Sequence, residues 1–260
     1  MDLYKLNFFE KKLMLIGDMI ESWRNDQTAK NIIEPTEFKT QADLKAHELL
    51  SELIQTIFPN TIIISEEDYT HDFRPTNYWL IDPIDGTASW YNGFDGFVIQ
   101  AAFIENNIPL YGAVYAPVLK KLWTARRNQG AWLNNCKLPK LIANERINLI
   151  DNYPEPKNIA GKIFNKIPIT QYIECGSLGL KSCLVADGTA DLFVKDVVIR
   201  DWDLAPAAVI INEVGGVLTD LTGEIISFTG SFQKNKGLIV ARDKYLLKSI
   251  VKLTENQTVK

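Results

Sequence analysis

Three short acidic segments contain most of the side chains that could do chemistry in this sequence. They read Ser-Glu-Glu-Asp at residues 65–68, Asp-Pro-Ile-Asp-Gly-Thr at residues 82–87 and Asp-Trp-Asp at residues 201–203. In the second segment, Pro83 keeps Asp82 out of helical geometry, and Gly86 permits a turn that a Cβ would hinder. The carboxylates of Asp82 and Asp85 can therefore point into the same space. Like charges at short range require a cation or a proton between them, so the segment predicts a site for a hard cation such as Mg²⁺, to which the Ile84 carbonyl could also bind.

The residues after this turn can open a helix, and the unpaired amides at a helix amino terminus bind phosphate. One turn could thus supply metal ligands and a phosphate cradle together. The same six letters also fit an ordinary Asp-Pro turn before a capped helix, and the hexapeptide alone leaves both interpretations open. Asp203 is ambiguous in the same way, because it lies where an N-cap residue is expected. Pro206 has no N–H group to be capped, which leaves the Asp203 carboxylate freer to bind a ligand.

Composition argues against several classes of protein. The chain has 260 residues, is 46% hydrophobic and carries a formal net charge of -4. This balance argues against a protein that binds a nucleic-acid polymer or an anionic membrane, which needs a basic face, but leaves room for a local basic pocket. Three cysteines without a Cys-x-x-Cys motif argue against a disulfide framework or a structural zinc site and fit a reducing compartment. The amino terminus shows no cleavage signal, and no apolar run approaches the roughly 20 residues that span a bilayer. We expect a cytoplasmic protein.

Hydrophobic periodicity predicts two amphipathic helices, over residues 3–24 and 43–58, ahead of a set of strands. The strands predicted for the first half are residues 61–65, 78–81, 97–104, 110–115, 122–126 and 131–133. The second half alternates strands with helices, which are predicted at 158–164, 178–186, 204–214 and 244–253. The pattern predicts an α+β domain over residues 1–140, with two helices on an antiparallel-rich sheet and most metal ligands. An α/β domain over residues 141–260 would supply Asp203 and the wall beside the substrate.

Taken together, the three acidic segments resemble those of the inositol monophosphatase superfamily, whose members are Mg²⁺-dependent, lithium-sensitive phosphomonoesterases. Members carry a Glu-Glu pair after one strand, an Asp-Pro-Ile/Leu-Asp-Gly-Thr box and a Trp-Asp pair at a helix start, and this chain has all three in that order. The likeness extends through residues 112–117, 130–132, 176–177 and 214–216. It implies an α+β and α/β fold arranged as a layered αβαβα sandwich of the sugar-phosphatase type, which often forms homodimers.

The resemblance implies two or three Mg²⁺ ions in one site. Glu66, Asp82 and the Ile84 carbonyl would bind one ion. Asp82, Asp85 and Asp203 would bind a second, and a third, weaker ion would lie near Glu66. Divalent ions neutralise a phosphate dianion and lower the pKa of bound water, so this chemistry needs no histidine, in agreement with a chain that has only two.

Catalytic and substrate-binding roles also follow from the resemblance. Glu66, Thr87 and Asp43 would be catalytic, with Thr87 and Asp43 orienting or deprotonating the attacking water in a mechanism without a phosphoenzyme. The residues that would contact the phosphate or the rest of the substrate are Gly86, Thr87, Gly176, Ser177 and Asp196. Outside this set, we expect Glu67 to face solvent and Asp201 to lie at the surface or behind the metal ligands.

The substrate is less sharply defined than the reaction. Residues 65–68, 114–117 and 181–186 resemble bacterial 3′(2′),5′-bisphosphate nucleotidases, which act on adenosine 3′,5′-bisphosphate. Residues 88–90, Ala-Ser-Trp, depart both from that branch and from inositol monophosphatases. Leu178 should narrow an inositol pocket, and Asp196 replaces a longer Glu. We therefore favour the nucleotide, with inositol 1-phosphate or another sugar phosphate as the alternative and a catalytically inactive binding homologue as the alternative of another class. The expected partner is a small phosphate ester, with neither nucleic-acid polymer nor membrane.

Overall fold

Layers of helices and sheets alternate through the protein, whose computed structural model describes residues 2–35, 38–69 and 73–255. The α-helices in these residues are α1 (Leu3–Ser22), α2 (Gln41–Ile57), α3 (Thr87–Asn92), α4 (Asn158–Phe164), α5 (Leu178–Ala186), α6 (Asp201–Val214) and α7 (Lys244–Glu255). The strands are β1 (Ile32–Glu34), β2 (Lys39–Thr40), β3 (Ile62–Ser65), β4 (Asn77–Asp85), β5 (Val98–Glu105), β6 (Ile108–Ala116), β7 (Lys121–Arg126), β8 (Gly130–Leu133), β9 (Cys136–Lys137), β10 (Asn148–Asp151), β11 (Gln171–Glu174), β12 (Leu192–Lys195), β13 (Ile199–Arg200), β14 (Val217–Thr219), β15 (Gln233–Lys234) and β16 (Leu238–Ala241).

Two large sheets organise the chain. The first has seven strands in the order β3-β4-β5-β6-β7-β8-β9, and all neighbours except the parallel β3–β4 pair are antiparallel. The second has five strands in the order β11-β10-β12-β16-β14, with β10 parallel to both of its neighbours. The remaining strands form the pairs β1–β2 and β13–β15.

Helices cover both faces of each sheet. Helices α1 and α2 contact one face of the seven-stranded sheet, and α5 and α6 lie between the two sheets. Helices α4 and α7 cover the outer face of the five-stranded sheet. One apolar cluster joins α5 and α6 to both sheets, and two others lie beneath the outer helices. The order is the five-layered αβαβα sandwich that the resemblance implies, and the fold class is confirmed. The division into domains at residue 140 stays a prediction.

The amphipathic pattern of α1 and α2 explains the first layer. In α1, the residues that face the sheet are Leu6, Phe9, Leu13, Ile16 and Ile20, all of which are buried, as predicted. Burying each such side chain stabilises the fold by about 2 kcal/mol, so the apolar side of α1 holds this helix against the sheet. Residues 23–25 continue α1 as a 3₁₀-helix, so the predicted end at residue 24 is correct to within one residue.

The central layer depends on α6, which is buried on nearly all sides. Such a helix needs apolar neighbours all round and suits a position between two sheets. Gly112 on β6 allows α6 to approach closely, because a Cβ there would overlap the backbone carbonyl of Pro206. The predicted start of this helix was wrong: α6 begins at Asp201 rather than Leu204. The Asp203 carboxylate accepts a hydrogen bond from the Arg200 amide at 2.8 Å, so Asp203 is the third residue of the helix in a capping box and not its N-cap.

Candidate active site

The central acidic segment lies at the end of β4, not after it. The sequence predicted a strand that ends at Ile81, whereas β4 continues to Asp85. Its register against β5 shifts between Asp82 and Asp85. Pro83 has no N–H group for a ladder hydrogen bond, which accounts for the irregularity. In a regular strand, residues three apart face opposite sides; the shift lets both carboxylates reach one space.

Three aspartates converge there. One carboxylate oxygen from each of Asp82, Asp85 and Asp203 lies within 4.8 Å of the others; we call these three residues the aspartate cluster. Asp82 and Asp85 are buried and Asp203 is partly exposed. The cluster joins the end of β4 to the first turn of α6 and so brings the second and third acidic segments together.

Burial and mutual repulsion destabilise the charged forms of these carboxylates. Burial, followed by the charges of Glu66 and Asp85, raises the pKa of Asp82 well above its usual range. Burial and then the charge of Asp85 do the same for the pKa of Asp203. Burial also raises the pKa of Asp85, against which a hydrogen bond from Ser177 acts. A cation of high charge would relieve all three effects at once.

Hydrogen-bond donors hold individual oxygens of the cluster. Asp85 Oδ2 accepts from Ser177 Oγ at 2.6 Å and from the Gly179 amide at 2.7 Å. Asp82 Oδ1 accepts from the Ile84 amide at 3.1 Å. Ser177 is therefore buried behind Asp85, where it also caps α5 by accepting from the Leu180 amide at 2.9 Å.

Glu66 lies beside the cluster but outside the group of mutually close oxygens. It follows β3, the strand parallel to β4, and is exposed at its rim. Burial of its carboxyl group, followed by repulsion from Glu67 and Asp85, raises the pKa of Glu66 to about 8. Other parts of the residue are exposed to solvent. Glu67 was expected to face solvent, and that expectation is wrong: its side chain is 4% exposed and forms an ion pair with Lys39 at 2.5 Å.

Thr87 and Asp43 form a hydrogen-bonded pair next to the cluster. Thr87 Oγ1 lies 2.9 Å from both Asp43 Oδ1 and the Ile84 carbonyl oxygen. Asp43 Oδ2 accepts from the Thr40 amide at 2.8 Å and from Thr40 Oγ1 at 2.5 Å, in the capping box that starts α2. Burial raises the pKa of Asp43 above its usual range, and these hydrogen bonds oppose the shift.

Two of the other sequence-predicted contacts, Gly176 and Asp196, each border a pocket. Gly86 is the N-cap of α3 and has φ 92°, a conformation that favours glycine. Gly176 borders a pocket of about 500 Å³ with Ser89, Asn92 and Phe94. Asp196 is exposed and borders a different pocket of about 350 Å³, whose further lining residues include Asp151, Tyr153, Lys157, Lys162 and Lys195. The substrate contacts of these residues stay predictions.

Sequence reasoning missed two buried polar residues near the cluster. Gln100 lies on β5, and its Nε2 donates to Asp85 Oδ2 at 3.2 Å. Lys181 lies on α5, and its Nζ donates to Asn152 Oδ1 at 2.7 Å. Each interrupts an otherwise apolar segment predicted to be a buried strand or helix, and that interruption is the signal that could have identified both.

The donor set suits a hard divalent cation. The cluster offers carboxylate oxygens on a converging surface, which is the ligand chemistry of Mg²⁺ and Ca²⁺ rather than of softer metals. The Ile84 carbonyl oxygen, held near Thr87, adds a neutral oxygen of the same kind. Along the described stretches, no helix is both long and apolar enough to cross a bilayer.

Comparison with known proteins places this geometry in a family. The sequence profile described as the inositol monophosphatase family matches residues 9–258. The chain is 29% identical over 199 residues to the 3′(2′),5′-bisphosphate nucleotidase CysQ of Aggregatibacter actinomycetemcomitans, which covers 73% of this chain and 74% of that protein. It is 31% identical over 253 residues to the fructose-1,6-bisphosphatase/inositol-1-monophosphatase of Thermotoga maritima. That alignment covers 90% of this chain and 92% of the relative. Among solved structures, a Thermotoga maritima IMPase superposes with a TM-score of 0.83 at 26% identity, covering 98% of each chain. The chain belongs to the inositol monophosphatase family and is a phosphatase.

Proposed function

We propose that this protein is a Mg²⁺-dependent phosphomonoesterase that hydrolyses a small phosphorylated metabolite by direct attack of water. The observation that carries the proposal is the aspartate cluster beside the hydrogen-bonded Thr87–Asp43 pair. Metal ligands and a proton acceptor thus meet at the end of one strand. The metal-dependent mechanism extends what membership of the family establishes.

The carboxylates divide into two sets of metal ligands. The aspartate cluster would hold one Mg²⁺, and Glu66, Asp82 and the Ile84 carbonyl would hold a second. When bound, such ions neutralise the phosphate charge and lower the pKa of a bound water. A third, weaker ion would lie on the exposed side of Glu66. These assignments follow the family resemblance and agree with the repulsion among the carboxylates.

Thr87 and Asp43 would handle the proton of the attacking water. The Thr87 hydroxyl lies within hydrogen-bond distance of Asp43, so it can accept a proton from water while its own proton moves to the carboxylate. Burial raises the pKa of Asp43, which makes it a stronger base than an exposed aspartate. The backbone amides of Gly86 and Thr87, at the start of α3, would hold the phosphate.

Adenosine 3′,5′-bisphosphate is our proposed substrate. The nucleotidase relative supports this assignment, and so does the pocket at Asp196, because three lysines line it and cationic groups suit a substrate with a second phosphate. Inositol 1-phosphate or another sugar phosphate is the second candidate, favoured by the Thermotoga maritima relative. Asp196 would then bind a sugar hydroxyl.

Metal dependence is tested by phosphate release with Mg²⁺, with EDTA and with Asp82→Asn. EDTA removes the metal, and Asp82→Asn removes a buried ligand of both proposed ions. We expect either change to abolish turnover. Glu145→Gln removes an exposed carboxylate from the loop before β10 and is the matched control, which should keep full activity. Turnover that survives both EDTA and Asp82→Asn would refute the proposal. Absence of turnover under every condition would favour a catalytically inactive homologue.

The substrate is tested by comparing kcat/KM for four esters: adenosine 3′,5′-bisphosphate, adenosine 3′-monophosphate, inositol 1-phosphate and fructose 1,6-bisphosphate. We expect the first to be preferred, and the monophosphate to lose affinity because it lacks the second phosphate. A preference for either sugar ester would overturn the nucleotide assignment but not the phosphatase mechanism. For the mechanism, solvent ¹⁸O should enter the released phosphate with inversion at phosphorus; retention would indicate a phosphoenzyme.

A further inference from the structure

Gln100 is a buried polar residue in a central strand. It lies on β5 directly opposite Asp82 on β4, and its solvent exposure is 0%. Its neighbours along the strand, Ile99 and Ala101, are fully buried apolar residues. Burying an amide in such surroundings is unfavourable unless its polar atoms have hydrogen-bond partners. The contacts of this side chain should therefore reveal why it is polar.

The amide nitrogen of Gln100 bridges two carboxylates of the aspartate cluster. Nε2 lies 3.2 Å from Asp85 Oδ2 and 3.4 Å from Asp82 Oδ2. An amide nitrogen carries two hydrogens and can donate to both. The opposite amide orientation would direct lone pairs at two carboxylates, so electrostatics selects the orientation with nitrogen towards the cluster.

The amide oxygen supports the same conclusion. Among the described residues, Oε1 of Gln100 is buried without a hydrogen-bond partner. Space for it comes from Gly179 on α5, where a Cβ would overlap Oε1 and would lie 3.0 Å from Asp85 Oδ2. An unsatisfied buried acceptor costs about 1–3 kcal/mol. The unpaired oxygen therefore lowers the stability of the fold, while the nitrogen contacts both aspartates. This combination is expected of a residue that serves the site rather than stability.

We propose that Gln100 is a positioning residue for the metal ligands, a role that rests on the proposed metal-dependent function. By donating to one oxygen of each aspartate, it sets the rotation of both carboxylates and directs their other lone pairs towards the ion. For Asp85 it is the third donor to Oδ2, after Ser177 and Gly179. Oδ1 accepts one longer hydrogen bond, from the Leu178 amide at 3.3 Å, and keeps a lone pair for a metal. The bridge also offsets part of the repulsion between the two carboxylates before metal binds.

The test compares Mn²⁺ binding to wild-type protein and Gln100→Leu by isothermal titration calorimetry. Loss of a group that orients a metal ligand typically weakens metal affinity by about 10–100-fold, and we expect at least a tenfold rise in the Kd for Mn²⁺. The Mg²⁺ concentration for half-maximal phosphate release should rise in parallel, while KM for substrate at saturating Mg²⁺ should stay unchanged. Gln100→Asn keeps an amide on a shorter side chain and should fold if the leucine variant does not; it should also weaken Mn²⁺ binding.

Thr124→Val is the matched control. Thr124 is a buried polar residue on β7 of the same sheet, and its substitution should leave the Kd for Mn²⁺ unchanged. If the Gln100 variants lose stability in urea but bind Mn²⁺ as tightly as wild type, the role is structural and the inference is wrong. If the wild-type protein neither binds Mn²⁺ nor releases phosphate, the proposed function itself fails. These two failures are therefore distinguishable.

Discussion

Replacing Lys181 by methionine should change how the stability of this protein depends on pH. Lys181 is completely buried on α5. Its Nζ donates to three neutral oxygens, those of the Asn152 side chain and of the Cys175 and Gly176 carbonyls. Burial lowers the pKa of Lys181 to about 8. The native protein therefore releases this proton at a lower pH than the unfolded chain does.

The sign and size of the effect follow from linkage. An unfolded lysine titrates near 10.4, so between about pH 8 and pH 10 the unfolded chain holds a proton that the native protein has lost. Stability rises with pH in that window, by about 1.4 kcal/mol per pH unit at most. Between about pH 7 and pH 9.5, wild-type protein should gain about 2 kcal/mol relative to Lys181→Met. Burial raises the pKa of the neighbouring Cys175 thiol to about 11, whereas an unfolded thiol titrates at about 8.5, so Cys175 lowers stability as pH rises through this window. Wild-type protein and Lys181→Met share that contribution, and it cancels in their difference.

Urea unfolding in EDTA measures this difference. At any single pH, Lys181→Met changes the free energy of unfolding in two opposite ways. Removing a buried charge raises it, and leaving three oxygens without a donor lowers it. The pH dependence separates the two, because only the charge titrates. Lys166→Met removes an exposed lysine and should give a difference from wild type that does not change with pH. A flat difference for Lys181→Met as well would refute the reasoning and indicate that the buried ammonium is stabilised by its oxygen partners.

Three further substitutions test other parts of the structure. Arg74→Met removes one of the two cations that pair with the buried Asp201 carboxylate and leaves Lys234 in place, so we expect a loss of about 1–3 kcal/mol in the free energy of unfolding, measured in urea; an unchanged urea midpoint would contradict this. Gly112→Ala places a methyl group against the Pro206 carbonyl and should cost about 1–3 kcal/mol by the same measurement, so a neutral effect would show that α6 can move away. Thr87→Val removes a hydroxyl but keeps the side-chain shape, and kcat should fall by about 100-fold or more while Mn²⁺ affinity persists. Full activity of this variant would exclude the hydroxyl from proton transfer.

The layers of the fold were predictable where side-chain periodicity is strong. The apolar stripe of α1 defines its sheet-facing side, and the helices at 158–164 and 178–186 begin and end where the sequence predicted. Strands β11 and β14 were missed. β11 has two exposed and two half-buried residues, and β14 has only three residues. Short or partly exposed strands carry little periodic signal, and their pairing depends on long-range contacts that a local pattern does not contain.

The candidate site was predictable in its residues more than in its geometry. The Asp-Pro turn predicted that Asp82 and Asp85 share one space, and the family resemblance added Asp203; the structure brings all three together. The Glu67 ion pair and the burial of Asp201 could not be derived, because each depends on a basic residue from a distant segment, Lys39 or Arg74. Asp201 is fully buried, which excludes the surface, one of the two positions that the sequence left open.

The polar interior around the cluster is better explained by function than by stability. The pKa of each cluster aspartate is raised, so in the metal-free protein every ionised carboxylate there opposes folding. The donors that contact the cluster, among them Ser177 and the Gly179 amide, reduce this cost but leave like charges facing one another. An apolar core of the same volume would be more stable. The arrangement would become favourable once a divalent cation binds the native state alone, because binding then adds directly to the free energy of unfolding. The residues that weaken the metal-free fold are thus the ones that we propose as ligands of the ion.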